Sequence, residues 1–249
     1  MSKFESANLE ILSDKAAVAA AVAKALSAQI EETESQFTIA LSGGSTPKVL
    51  FRHLVENHAK SVDWHRVRFF WGDERCVPPD DEQSNFKMTN ELLLQPLQIK
   101  PENIFRVRGE DPPEAEAVRY ANQIKEVVES GSSGLPEFDF MMLGMGADGH
   151  TASIFPHQIE LLKEEAICAV ATHPETGQNR VTITGPTINA SRKIVFMITG
   201  EAKAEVISQI KHRRGSWESY PTSHIGPSDL GDTPDNLHYF LDQAAAEGL

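Results

Sequence analysis

Four short segments of this chain are almost wholly apolar: FTIAL (37–41), VRFFW (67–71), FDFMMLG (138–144) and KIVFMIT (193–199). A strand with one wet face alternates apolar and polar residues, and these do not. They belong inside a parallel sheet covered on both faces by helices. The intervening segments have the helical period that such a sheet needs. SDKAAVAAAVAKALSAQI (13–30) puts Val18, Val22, Ala25, Leu26 and Ile30 on one face, with Ser13 placed to cap it. Leu50, Phe51, Leu54 and Val55 form a second stripe after Pro47, and a third helix capped by Ser84 runs through Met88, Leu92 and Leu93. EAEAVRYANQIKEVVES (114–130) and EAKAEVISQI (201–210) add two more. NIFRV (103–107), AICAVAT (166–172), RVTIT (180–184) and LHYFLD (237–242) read as further strands, the last running into a helical AlaAlaAla end. The expected class is α/β with a mostly parallel sheet, and residues 150–190, rich in short strands, suggest a small β-rich subdomain. No repeat or linker divides the chain, so residues 1–249 are expected to form a single domain.

At 249 residues the chain can bury a large core without disulfides or structural metal. Its net charge of −13 lacks the basic footprint that nucleic acid or an anionic membrane requires. A small anion remains an acceptable ligand, because charge is screened beyond about 8 Å and a few nearby cations outweigh a distant acidic surface. No apolar run approaches the ~18 residues of a membrane span. The N-terminal stretch, interrupted by Lys15 and Lys24, is not a signal peptide. Cys76 and Cys168 match no metal or redox spacing and read as free thiols of a cytoplasmic protein.

Ligand sites in parallel sheets lie beyond the carboxyl ends of the strands. That rule selects three loops. SGGSTP (42–47) joins a strand to a helix start, where Gly43 and Gly44 allow close backbone approach and Ser45 and Thr46 add hydroxyls. Unpaired amides and the helix dipole favour a phosphate or carboxylate there, although a plain turn with a helix cap uses the same residues. GDER (72–75) offers Arg75 as a bidentate clamp for an oxyanion and Asp73 to orient it or to meet a sugar hydroxyl; a solvated charge run is the alternative.

The third loop, GMGADGHTASIFP (144–156), contains Gly144, Gly146 and Gly149 in G-x-G-x-x-G spacing. A dinucleotide fingerprint needs a helix directly after the third glycine and an acidic residue ending a second strand. Here His150 follows Gly149, Pro156 blocks a long helix, and Glu164 and Glu165 precede a strand instead of ending one. The better reading is a catalytic loop, with His150 as general base and Asp148 two residues before it. No metal-binding His pair and no Gly-x-Ser-x-Gly elbow is present, and no cofactor is implied.

LSGGSTP, GDERCVPPDDEQSNFKM and GMGADGHTASIFP, in that order, together with RVTIT, GEAKAEV, YPTSHI and HYFLDQAAA, resemble the 6-phosphogluconolactonase family from about Leu41 to Ala246. The resemblance implies a Rossmann-like three-layer α/β/α sandwich and hydrolysis of 6-phospho-D-glucono-1,5-lactone in the oxidative pentose phosphate pathway. It assigns Arg75, Arg180 of RVTIT and Lys203 of GEAK to the substrate phosphate and the carboxylate being formed. It implies no nucleic-acid, membrane or obligate protein partner. Glucosamine-6-phosphate deaminases are similar but carry a glutamate just before the proline of this loop, where this chain has Phe155; an apolar ring cannot tune the imidazole by charge. A silent sugar-phosphate sensor would have no need of His150. Thr222, where the family often has alanine, and Cys76 depart from the pattern, and neither is expected to touch the chemistry.

Overall fold

The computed structural model describes residues 3–226 and 236–249. Among the described residues nine strands form two sheets: β1 (Asn8–Leu12), β2 (Phe37–Leu41), β3 (Val67–Trp71), β4 (Asp73–Arg75), β5 (Phe140–Leu143), β6 (Cys168–Thr172), β7 (Asn179–Ile183), β8 (Ile194–Ile198) and β9 (Leu237–Asp242). The main sheet has the order β1-β9-β8-β5-β2-β3, and every pairing in it is parallel. The four apolar segments are β2, β5 and β8 of its interior and β3 at one edge, each of them buried in the structure as its apolar run predicts.

Alternate residues of the interior strands of the main sheet enter different cores. Ile39 and Leu41 of β2, with Phe140 and Met142 of β5, pack with Val18, Val22 and Leu26 of α1 (Lys15–Glu32) and Leu50, Phe51 and Leu54 of α2 (Ser45–His58). Ala40, Met141 and Leu143 point the other way. Their partners include Tyr120 and Ile124 of α4 (Pro113–Val127) and Val206, Ile207 and Ile210 of α6 (Ala204–His212). The period of two in the strands thus generates the three layers. α3 (Asn85–Thr89) is short and continues as a π-helical turn over Asn90–Leu94, while α5 (Gly185–Asn189) is a single turn after β7.

The second sheet is antiparallel with the order β4-β7-β6. It is the β-rich element expected between residues 150 and 190, joined by β4 from the GDER loop. It projects from the carboxyl end of β3, because Gly72 alone separates β3 from β4.

Some local expectations are corrected. The α1 cap is Asp14, whose carboxylate accepts from the Ala17 amide at 2.9 Å, in place of Ser13. NIFRV makes one isolated bridge, Phe69 to Ile104, and is no strand, since Pro101–Asn103 winds into a 3-10 turn just before it. The C-terminal alanines form turns instead of a helix. The helix expected from residue 201 opens with a 3-10 turn, Glu201–Lys203, before α6. β1 has no apolar signature because it is an edge strand, with Leu9 and Ile11 exposed.

Candidate active site

The loops that follow β2, β3, β5 and β8 meet at the carboxyl end of the sheet and enclose a cavity of about 260 Å³. β3 lies on one side of β2 and β5 on the other, so the chain changes direction across the sheet here. Such a switch point is where open α/β sheets place ligands. Gly43, Gly44, Ser45, Thr46, Asp73, Arg75, His150, Arg180 and Lys203 all line this cavity. Asp148 stands directly behind it, bonded to His150.

The glycines have distinct reasons to be there. Gly44, at φ +109°, is the N-cap of α2, a conformation that side chains resist. A Cβ on Gly43 would lie 1.9 Å from Asn85 Oδ1. On Gly146 a Cβ would fall 2.2 Å from His150 Nδ1 and 2.4 Å from Asp148 Oδ1. The residues of the third loop thus need Gly146 bare so that the acid and the imidazole can meet above it. They do meet: His150 Nδ1 and Asp148 Oδ1 are 2.6 Å apart, and the same oxygen accepts from the His150 amide at 3.2 Å. Partial burial pushes the Asp148 carboxyl up, but hydrogen bonds and charge from His150 outweigh it and bring it down to about 2. An ionised Asp148 holds the proton on Nδ1 and leaves Nε2 as the acceptor. The Phe155 ring lies tilted at 53° to the imidazole, with ring centroids 4.8 Å apart.

The cationic wall comes from the small sheet. Arg75 of β4 and Arg180 of β7 are directly paired across the antiparallel ladder. The Nε of each is buried without a hydrogen-bond partner. Asp73 sits beside them, its Oδ2 accepting from Ser153 Oγ at 2.7 Å and lying 3.9 Å from Arg180 Nη1. Burial lowers the Arg180 guanidinium from its ordinary range; Asp73 opposes that and Arg75 adds to it. Lys203 is likewise lowered by burial, against the pull of Asp148. Each of these cations gains from an anion that replaces its lost water.

Glu74 anchors this wall. It is 2% exposed and accepts from the amides of Arg75, Asn85 and Phe86 at 2.7–2.8 Å and from Ser84 Oγ at 3.1 Å. Burial pushes its carboxyl up while those amides pull it down. The knot ties β4 to the start of α3 and brings Asn85 to the cavity. Asn85 and Thr199 are lining residues that the motifs did not single out. Thr199 follows β8, so the strand-end rule that selected the other loops reaches it too; its hydroxyl lies 2.7 Å from that of Thr46. Asn85 has no such signal, because its position depends on the Glu74 knot. Cys76 is half-buried, its thiol pushed up to about 11 by burial, which makes it a poor nucleophile.

The model of a family described as glucosamine-6-phosphate isomerases/6-phosphogluconolactonase matches residues 13–233. The chain is 48% identical over 200 residues to a 6-phosphogluconolactonase of Treponema pallidum, covering 80% of this chain and 82% of that protein. It is 40% identical over 212 residues to one from Haemophilus influenzae, covering 85% and 87%. Among solved structures, the devB protein superimposes with a TM-score of 0.89 at 37% identity, over 97% of this chain and 99% of the other.

Proposed function

The chain belongs to the glucosamine-6-phosphate isomerase/6-phosphogluconolactonase family and is a lactone hydrolase acting on 6-phosphogluconolactone; for that reaction we propose His150 as the base that activates water. The Asp148–His150 hydrogen bond carries this reading. Nε2 of His150 takes a proton from a water whose oxygen attacks C1 of the 1,5-lactone. The tetrahedral oxyanion then collapses, the bond from C1 to the ring oxygen breaks, and the imidazolium returns its proton to that oxygen. The carboxylic acid so formed ionises at neutral pH, releasing one proton to solvent and giving 6-phosphogluconate. A placed base contributes about 10²–10⁴-fold. That suffices for a lactone, which is already an activated ester.

The remaining roles follow from charge. The Arg75–Arg180 pair grips the distal phosphate, with Lys203 serving the phosphate or the nascent carboxylate. Asp73 orients Arg180 and meets a sugar hydroxyl. First-turn amides of α2 have no partner within their own helix, and Gly43 to Thr46 line the cavity. They suit the oxyanion or a phosphate oxygen. The whole chain acts as one catalytic unit in this reading, with no nucleic-acid, membrane or obligate protein partner. A cytoplasmic setting fits the two free thiols; among the described residues no helix is long and apolar enough to cross a membrane.

Stopped-flow proton release with freshly made 6-phosphogluconolactone tests the mechanism. Wild type accelerates release and His150→Ala loses that acceleration while still binding 6-phosphogluconate. Binding without acceleration in wild type would mark a sensor. Ammonia from glucosamine 6-phosphate would mark a deaminase.

A further inference from the structure

We propose that Thr222, which lies outside the cavity, is a positioning residue for the catalytic loop, clamping the peptide that carries His150. The inference rests on the reading of His150 as base. Thr222 is wholly buried in the 3-10 turn Pro221–His224, and its hydroxyl donates to Gly149 O at 2.9 Å. Its own amide donates to the same oxygen at 3.1 Å, and the hydroxyl also stands 3.5 Å from His150 O. One residue therefore touches the carbonyls on both sides of the His150 α-carbon. On this proposal position 222, expected to stand clear of the chemistry, acts on it through the loop.

The loop needs such a clamp. Gly149 has φ +80°, a conformation that glycine adopts readily and other residues resist, so no side chain of its own restricts this peptide. Within the loop, two backbone bonds close the turn, Gly146 N to His150 O at 2.9 Å and Gly149 N to Gly146 O at 3.1 Å, and the His150 amide donates to the Asp148 carboxylate at 3.2 Å. The partner that orients the imidazole, Asp148, belongs to the same loop and moves with it. Three residues past His150 the loop is anchored through Ser153 to Asp73 and Thr182; at Gly149 itself the external restraint comes from the segment 220–222. The Tyr220 ring packs on Gly149 so closely that a Cβ there would lie 2.6 Å from it, and Tyr220 Oη is fixed by Gln209 of α6 at 2.9 Å. Tyr220 limits displacement of the loop, whereas the Thr222 hydroxyl sets the direction of the carbonyl at its hinge. A rotation there would swing Nε2 away from the water it must deprotonate, with no change at the phosphate grip.

The test is a set of steady-state and stability measurements on Thr222→Val, Thr222→Ser and His150→Ala. Valine keeps the volume and loses the hydroxyl. Thr222→Val should lower kcat about five-fold with KM nearly unchanged, the effect of one hydrogen bond on the reacting geometry. Thr222→Ser should recover kcat, because it keeps the donor. In a His150→Ala background Thr222→Val should lower the residual rate no further. Wild-type kcat in Thr222→Val, a loss that serine does not recover, or an equal loss without His150 would each overturn the clamp. Unfolding midpoints exclude trivial loss of fold, and serine supplies the answer should valine not fold. Retained turnover in His150→Ala alone would instead remove the base assignment, which separates the two failures.

Discussion

Arg75 and Arg180 face one another across the β4–β7 ladder, each with a buried Nε that has no hydrogen-bond partner among the described residues. Like charges directly opposite in a sheet are destabilising. Asp73, 3.9 Å from Arg180 Nη1, offsets only part of this, and Arg75 finds a carbonyl, Gln83 O. The pair is therefore poised for a multivalent anion. Replacing Arg75 or Arg180 with alanine should raise KM roughly ten- to hundred-fold, the worth of charged hydrogen bonds, and lower kcat much less. 6-Phosphogluconate should also lose most of its ability to raise the melting temperature of either variant. Steady-state kinetics and thermal shifts check both; an unchanged KM would remove the phosphate role.

His150→Ala should lower kcat by about 10²–10⁴-fold, the contribution of a positioned base. Product affinity, measured by calorimetry, should stay close to wild type, because the imidazole acts on water and not on the phosphate. Near-normal turnover would take His150 out of the mechanism.

Gly146→Ala tests the same pair without removing either member. The added methyl would overlap His150 Nδ1 and Asp148 Oδ1. Overpacking of this kind costs about 1–3 kcal/mol, and here it falls on the two side chains proposed for catalysis. We expect kcat to drop at least about ten-fold while the far-ultraviolet circular dichroism is unchanged. A wild-type kcat would mean that the two side chains can separate and still work.

The parallel sheet and its flanking helices were legible because burial on both faces leaves an unbroken apolar run, as in KIVFMIT. Edge strand β1 was not, since Leu9 and Ile11 are exposed and carry no such mark. The three site loops followed from the strand-end rule, and His150, Arg75 and Gly43 lie where it puts them. Arg180 and Lys203 were legible only through family resemblance. In composition they are ordinary charges, and only the fold makes Arg180 the partner of Arg75. Asn85 was hidden because Glu74, 11 residues before it in the chain, brings it in. Thr222 touches the catalytic peptide across a separation of 73 residues, which no local pattern records.

Asp148 gives a stability signature that is independent of catalysis. Its carboxyl is more acidic in the folded protein, about 2 against an ordinary 3.8. A group that holds its proton less tightly when folded favours the folded state above the ordinary value. That contribution fades as pH falls through the folded one. Asp148→Asn should therefore melt below wild type near neutrality, by a modest margin because the side chain is 44% exposed. The gap should stay constant down to about pH 5 and close between about pH 4 and pH 2. Paired melting curves across that range check it; a gap that persists at the acid end would mean that Asp148 is not held ionised by His150.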